Sequence, residues 1–181
     1  MAAQITLYII VFIGIIVFFS SFVTVKQGTI AVVTVFGKYR RILKPGLNLK
    51  LPLIEQIYSR ISIQNRSVEL EFQAVTLDQA NVYFKAMLLY SVLDQGEETI
   101  KNVAFKFVDE RNLMQALIRT IEGSIRAYVA TKKQSDVLIL RKDIVEHVKE
   151  QLDNILETWG YHLQDLQLND ITFDDVILKS M

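Results

Sequence analysis

Apolar and polar positions along the chain follow three successive patterns. Residues 1–25 contain no Asp, Glu, Lys, Arg or His, and Ile, Val and Phe fill the middle of the run. From residue 29 the pattern becomes short β-branched or alternating stretches, the signature of strands. Residues 29–36 (TIAVVTVF) form the first. Leu47, Leu49 and Leu51 alternate with Asn48 and Lys50. Ile57, Ser59, Ile61 and Ile63 share one face, as do Val68, Leu70 and Phe72, and residues 82–93 supply a longer strand. Gly37-Lys38-Tyr39, Lys44-Pro45-Gly46 and Thr76-Leu77-Asp78-Gln79 are the turns between them. Beyond Asp94-Gln95-Gly96 the period lengthens to that of a helix. A short helix starts near Glu97, and Asp109 caps a second that runs to about Ala130. On that second helix Met114, Leu117, Ile118, Ile121, Ile125 and Tyr128 share a face. Ser135 caps a third, with Val145, Val148, Leu152, Ile155 and Trp159 at three-four spacing, and Gly160 stops it. A final strand follows over residues 161–171, its alternation slipping at Gln164-Asp165 as a bulge would make it.

The first pattern sets an expectation about location. At 1.5 Å per residue the stretch 5–25 spans roughly 30 Å, the thickness of a hydrocarbon core, so one transmembrane helix is expected over residues 1–25. A cleavable signal peptide would need a basic leader and a small-x-small cleavage site, and neither is present. Lys26, Lys38, Arg40, Arg41 and Lys44 follow the run, with no acid before Glu55. This asymmetry predicts a single-pass protein whose domain lies in the cytoplasm. The same five residues either touch anionic lipid headgroups or form a solvated strand-and-turn surface. The rest divides into a β-rich lobe over 26–95, a helical α/β lobe over 96–175, and the start of a further helix over 176–181.

The chemistry-bearing residues are few. The formal net charge is zero, there is no cysteine, and there are only two histidines. His147 falls away from the apolar face of its helix, and His162 reads as edge packing at a strand start. Metal-binding, nucleophile-elbow and phosphate-loop motifs are missing. The acids Asp170, Asp174 and Asp175 lack the oxygen ladder of a calcium loop. Balanced charge argues against nucleic acid. No catalytic, cofactor-binding or metal-binding residue is expected, and no cofactor.

Three motifs in order carry a resemblance: Val35-Phe36-Gly37-Lys38-Tyr39, then Leu43-Lys44-Pro45-Gly46-Leu47, then Leu51-Pro52-Leu53-Ile54-Glu55. Residues 74–82 (AVTLDQANV) and Trp159-Gly160 continue it. The chain resembles the SPFH or band 7 domain family of stomatin, prohibitin, flotillin and the HflK/HflC pair, over roughly residues 24–175. The wording of residues 97–107 departs from the stomatin form, and the closing Asp170-Ile171 lacks the prolines that often follow it in the family. The resemblance implies an α+β fold: a single transmembrane helix, then a mostly antiparallel β lobe and an α/β lobe. It also implies a non-enzymatic, oligomeric scaffold that organises membrane microdomains. The partners it implies are the lipid bilayer, further copies of itself or relatives, and membrane proteases or other membrane proteins. A membrane-bound hydrolase, or a lipid-binding module without assembly, are the other readings. Relatives usually continue into a long Ala/Glu-rich coiled coil, so this chain is expected to be an N-terminal fragment or a truncated gene product.

Overall fold

The computed structural model describes residues 2–139 and 141–173. The helix start expected over 176–181, and the acids Asp174 and Asp175, lie outside them. The chain divides into two compact units, residues 1–64 with 95–104, and residues 65–94 with 105–181.

The first unit opens with helix α1 (Ala2–Ser20), followed by strands β1 (Phe22–Val25), β2 (Thr29–Val35), β3 (Lys38–Leu43), β4 (Gly46–Leu49) and β5 (Glu55–Ser62). β1 pairs with β4 as a two-stranded ribbon, and β2 lies between β3 and β5; all three pairings are antiparallel. Four consecutive residues of β2, from Ile30 to Val33, are fully buried, as its unbroken apolar run requires. Val25, Ala31, Val33 and Leu43 form one cluster, with Val23 and Ile57 against it. Helix α2 (Glu97–Phe105) is tied to this unit by Tyr39, whose hydroxyl donates to Glu97 Oε1 at 2.6 Å. Lys101 Nζ lies 5.6 Å from the centroid of the same tyrosine ring.

The N-terminal expectation needs correction. The apolar run was expected to stay helical to Val25, but its last four residues leave the helix as β1 and pair with β4, Phe22 opposite Leu49 and Val25 opposite Gly46. Of the residues 1–25 expected to form it, only Ala2–Ser20 are helical, nineteen residues. Among the described residues no helix is long and apolar enough to cross a membrane. The single-pass topology falls with it. So does the cytoplasmic placement of the domain, because a charge bias orients only a helix that spans.

β3 is a second departure. Lys38 and Tyr39 are strand rather than turn, and the reversal is made by Phe36 and Gly37. The expected pattern in β4 also inverts. Leu47, Leu49 and Leu51 are exposed while Asn48 is half-buried, its side chain donating to the Lys44 and Gly46 carbonyls.

The second unit pairs β6 (Arg66–Val75), β7 (Asn81–Val92) and β8 (Tyr161–Phe173) in that order, all antiparallel. Phe72 and Phe84 stack across β6 and β7 with ring centroids 5.3 Å apart. Against the sheet lie α3 (Glu110–Val129) on β6 and α5 (Arg141–Trp159) on β8. Asp109 caps α3 as expected, accepting from the Asn112 amide at 2.7 Å. The buried rows run at strict four-residue spacing, Leu113–Leu117–Ile121–Ile125–Val129 on α3 and Ile144–Val148–Leu152–Leu156 on α5. The three-four stripes read from the sequence mix these rows with half-buried neighbours. Ser135 does not cap α5. It lies within a separate short helix α4 (Gln134–Ile139), whose first amide is held by the Asp78 carboxylate at 3.0 Å. The expected bulge is present: pairing jumps from Leu89–Asp165 to Tyr90–Leu163 and leaves Gln164 without an opposite residue.

Candidate functional site

Strand register gathers an unusual set of side chains at one end of the first unit. Val35 pairs with both Lys38 and Glu55, so the β2–β3 hairpin and the start of β5 share a row. Residues 50–54 connect β4 to that row. Leu49, at the other end of this connection, faces Phe22, and the Lys50 amide donates to the Ser21 carbonyl at 2.8 Å. This end therefore carries the hairpin tip, the 50–54 loop and the point where α1 enters the sheet. Lys38 apart, its exposed residues are mostly apolar: Phe36 is 88% exposed, Leu53 84%, Leu49 58% and Leu51 55%, with Phe22 and Ile54 partly so. Single exposed leucines need no explanation, but a contiguous set marks a surface that something covers. α1 continues it, predominantly apolar and exposed over residues 4–20.

Phe36 carries a second cost. Val35, Phe36, Gly37 and Lys38 form a two-residue hairpin with φ at 48° for Phe36 and 79° for Gly37. Such a turn needs positive φ at both central residues, and Asn-Gly is its preferred sequence. A bulky residue in the left-handed region costs roughly 1–2 kcal/mol. Phe36→Asn is therefore expected to stabilise the unit by roughly 1 kcal/mol. Chemical denaturation of the two proteins measures it, and a less stable variant would remove the strain interpretation. A phenylalanine held both strained and bare at a hairpin tip suggests selection for contact with an apolar partner.

Beneath this surface is an ion pair. Glu55 is only 3% exposed. Arg41 donates to it twice, Nη2 to Oε2 at 2.9 Å and Nε to Oε1 at 3.2 Å, and the Leu51 amide donates to Oε2 at 2.9 Å. Arg41 Nη2 also reaches the Leu49 carbonyl at 2.7 Å, and Arg40 Nε lies 3.8 Å from Oε1. Glu55 thus fixes both ends of the 50–54 loop and the middle of β3. The Arg41 hydrogen bonds, with the Leu51 amide and the two positive charges, hold its carboxyl below the usual carboxylate range against the opposing effect of burial.

The five basic residues expected at a lipid surface do not form one patch. Lys38 is at the apolar end, in the row of Val35 and Glu55. Arg40 is exposed one step along β3, and Arg41 is engaged by Glu55. Lys26 and Lys44 flank the Val25–Gly46 pair at the far end of the ribbon. Sequence reasoning missed Phe36, Leu53 and Glu55 as members of a site. The signal for Phe36 was a bulky residue where a two-residue hairpin favours asparagine. In the second unit His162 is not simply edge packing, since its Nδ1 lies 3.1 Å from Asp153 Oδ1.

The model of the SPFH domain / Band 7 family matches residues 23–181, nearly the whole chain after α1. The chain belongs to this family. Among curated proteins it is similar to the putative band 7 family protein R614 of Acanthamoeba polyphaga mimivirus, 23% identical over 87% of this chain and 50% of that protein. It is similar to hypersensitive-induced response protein 4 of Arabidopsis thaliana, 20% identical over 87% of this chain and 52% of that protein. It is also similar to stomatin-like protein stl-1 of Caenorhabditis elegans, 23% identical over 87% of this chain and 46% of that protein. The chain thus spans about half the length of these relatives. Band 7 proteins form a non-catalytic, scaffold-type family, which is consistent with the expectation of no enzymatic activity. Association with membrane lipids and oligomerisation belong to the Band 7 family as a whole.

Proposed function

We propose that this chain is the lipid-facing part of an oligomeric scaffold that organises membrane microdomains, with membrane proteases or other membrane proteins as its clients. The observation that carries this reading is the apolar end of the first unit, where Phe36, Leu49, Leu51 and Leu53 stand exposed beside the root of α1. Acyl chains cover this surface and the apolar surface of α1. Lys38 and Arg40 then lie at headgroup level, each charge near an anionic leaflet contributing about 1 kcal/mol. Arg41 serves the same end indirectly, by holding the apolar loop in place through Glu55. Docking confines the domain to two dimensions, so weak lateral contacts between copies act at high effective concentration.

The chain has no cysteine, so a single introduced one can be labelled cleanly. An environment-sensitive fluorophore at Leu53→Cys is expected to shift to the blue on liposomes and to be quenched by brominated lipid. The same fluorophore at Lys44→Cys, at the far end of the ribbon, is expected to do neither. Equal quenching at both positions, or none at position 53, would sink the docking geometry. Cross-linking on the same liposomes tests assembly, and a product confined to monomer would favour lipid binding without a scaffold.

A further inference from the structure

We propose that Asp153, Glu157 and His162 form a binding site for one divalent metal ion of the zinc class, at the corner where α5 turns into β8. Asp153 and Glu157 are four residues apart, so they share a face on the last turns of α5. Gly160, at φ 87°, reverses the chain, and its amide donates to the Glu157 carbonyl at 2.9 Å. β8 then begins with Tyr161 and Leu163 buried, and His162 between them takes the opposite, half-exposed side. The result is three donor groups whose ligand atoms all lie within 4.8 Å of one another.

Two of the three are already placed. His162 Nδ1 is 3.1 Å from Asp153 Oδ1. Tetrahedral zinc, with bonds of 2.0–2.2 Å, has ligand–ligand edges of roughly 3.3 Å. The pair therefore has close to the spacing that a shared metal would impose. The Leu163 amide donates to the same carboxylate oxygen at 3.3 Å and so helps to hold Asp153 in place. Glu157 is exposed, and rotation of its side chain closes the third edge.

Donor chemistry narrows the ion. One imidazole with two carboxylates and no thiolate suits zinc and its neighbours, rather than copper(I), calcium or magnesium. Three protein ligands leave one position for water. The bound ion would tie the end of α5 to the start of β8 across the Gly160 turn.

The test uses the whole chain in mild detergent, stripped with a chelator and titrated with zinc chloride against a chromophoric competitor. One equivalent is expected to bind in the micromolar range or tighter. Glu157→Gln and His162→Ala are each expected to weaken binding by about tenfold or more, the least that loss of a ligand costs when even outer partners cost that much. His147→Ala is expected to change nothing. Zinc is also expected to raise the melting temperature of the wild type and not that of Glu157→Gln, which alters an exposed side chain and leaves the fold intact. No zinc bound in the micromolar range would overturn the proposal, as would unchanged affinity in Glu157→Gln and His162→Ala.

Discussion

Arg41→Ala is expected to destabilise the first unit by about 3 kcal/mol at neutral pH and by far less in acid. Breaking a buried ion pair strands the partner that stays behind, here a carboxylate only 3% exposed. The figure is at the low end for such a break because the Arg41 side chain is itself 43% exposed, so part of the pairing is already screened by water. The dependence on pH follows from Glu55. In the wild type its folded pKa is depressed, chiefly by the Arg41 hydrogen bonds. Its contribution is therefore present above the unfolded value of about 4.3 and is lost as pH falls through the lower folded value. Without Arg41 the largest lowering cause is gone, and burial is opposed only by the Leu51 amide and Arg40. The depression of the Glu55 carboxyl shrinks, and with it the stability gained above the unfolded value. Stability then rises less steeply with pH in the variant than in the wild type, and the two curves converge in acid. Urea melts across that range measure the gap. A gap independent of pH would show that Arg41 acts only through packing and its bond to the Leu49 carbonyl.

Leu53→Asp is the second large effect, and it acts on docking rather than on folding. Leu53 is 84% exposed, so its loss is expected to move stability by no more than about 0.5 kcal/mol. In hydrocarbon the exchange of Leu for Asp costs about 3 kcal/mol, a factor of more than a hundred in occupancy. With a fluorophore at Leu51→Cys as reporter, the variant is expected to lose most of its quenching by brominated lipid while its melt stays unchanged. In the proposed docking α1 also touches lipid, so flotation alone would miss the effect, and the reporter must be read at depth. Retained quenching in Leu53→Asp would show that Leu53 does not carry the docking of the loop, and no quenching at position 51 in either protein would place the loop in water.

Membership of the Band 7 family was legible from motif order, and the structure gives several of those motifs a physical task. The Thr76-Leu77-Asp78-Gln79 turn puts the Thr76 hydroxyl and the Gln134 amide on the Asp78 carboxylate, joining the β6–β7 hairpin to the start of α4. The Phe36-Gly37 pair is the hairpin tip, and Glu55 is the buried partner of Arg41. The pieces of the apolar surface were all visible as residues, but not as a surface. Leu47, Leu49 and Leu51 alternate as a half-buried strand would, yet among the described residues β4 pairs only with β1, and the leucines stay exposed.

Local pattern determined what local forces close. The buried run of β2, the alternation of β6, the capped and amphipathic α3, the Gly160 stop and the bulge at Gln164 were all set by neighbours within a few residues. Tertiary structure decided whatever depends on a partner far along the chain. The apolar run stops being helical at Ser20 because residues 46–49 offer β1 a strand to pair with. Arg41 is drawn to Glu55 across fourteen positions, and His162 meets Asp153 only after the chain reverses. Helix hydrogen bonds are made four residues away and appear in a sequence window. Strand pairings and buried ion pairs join distant positions, and only the folded chain shows which residues meet.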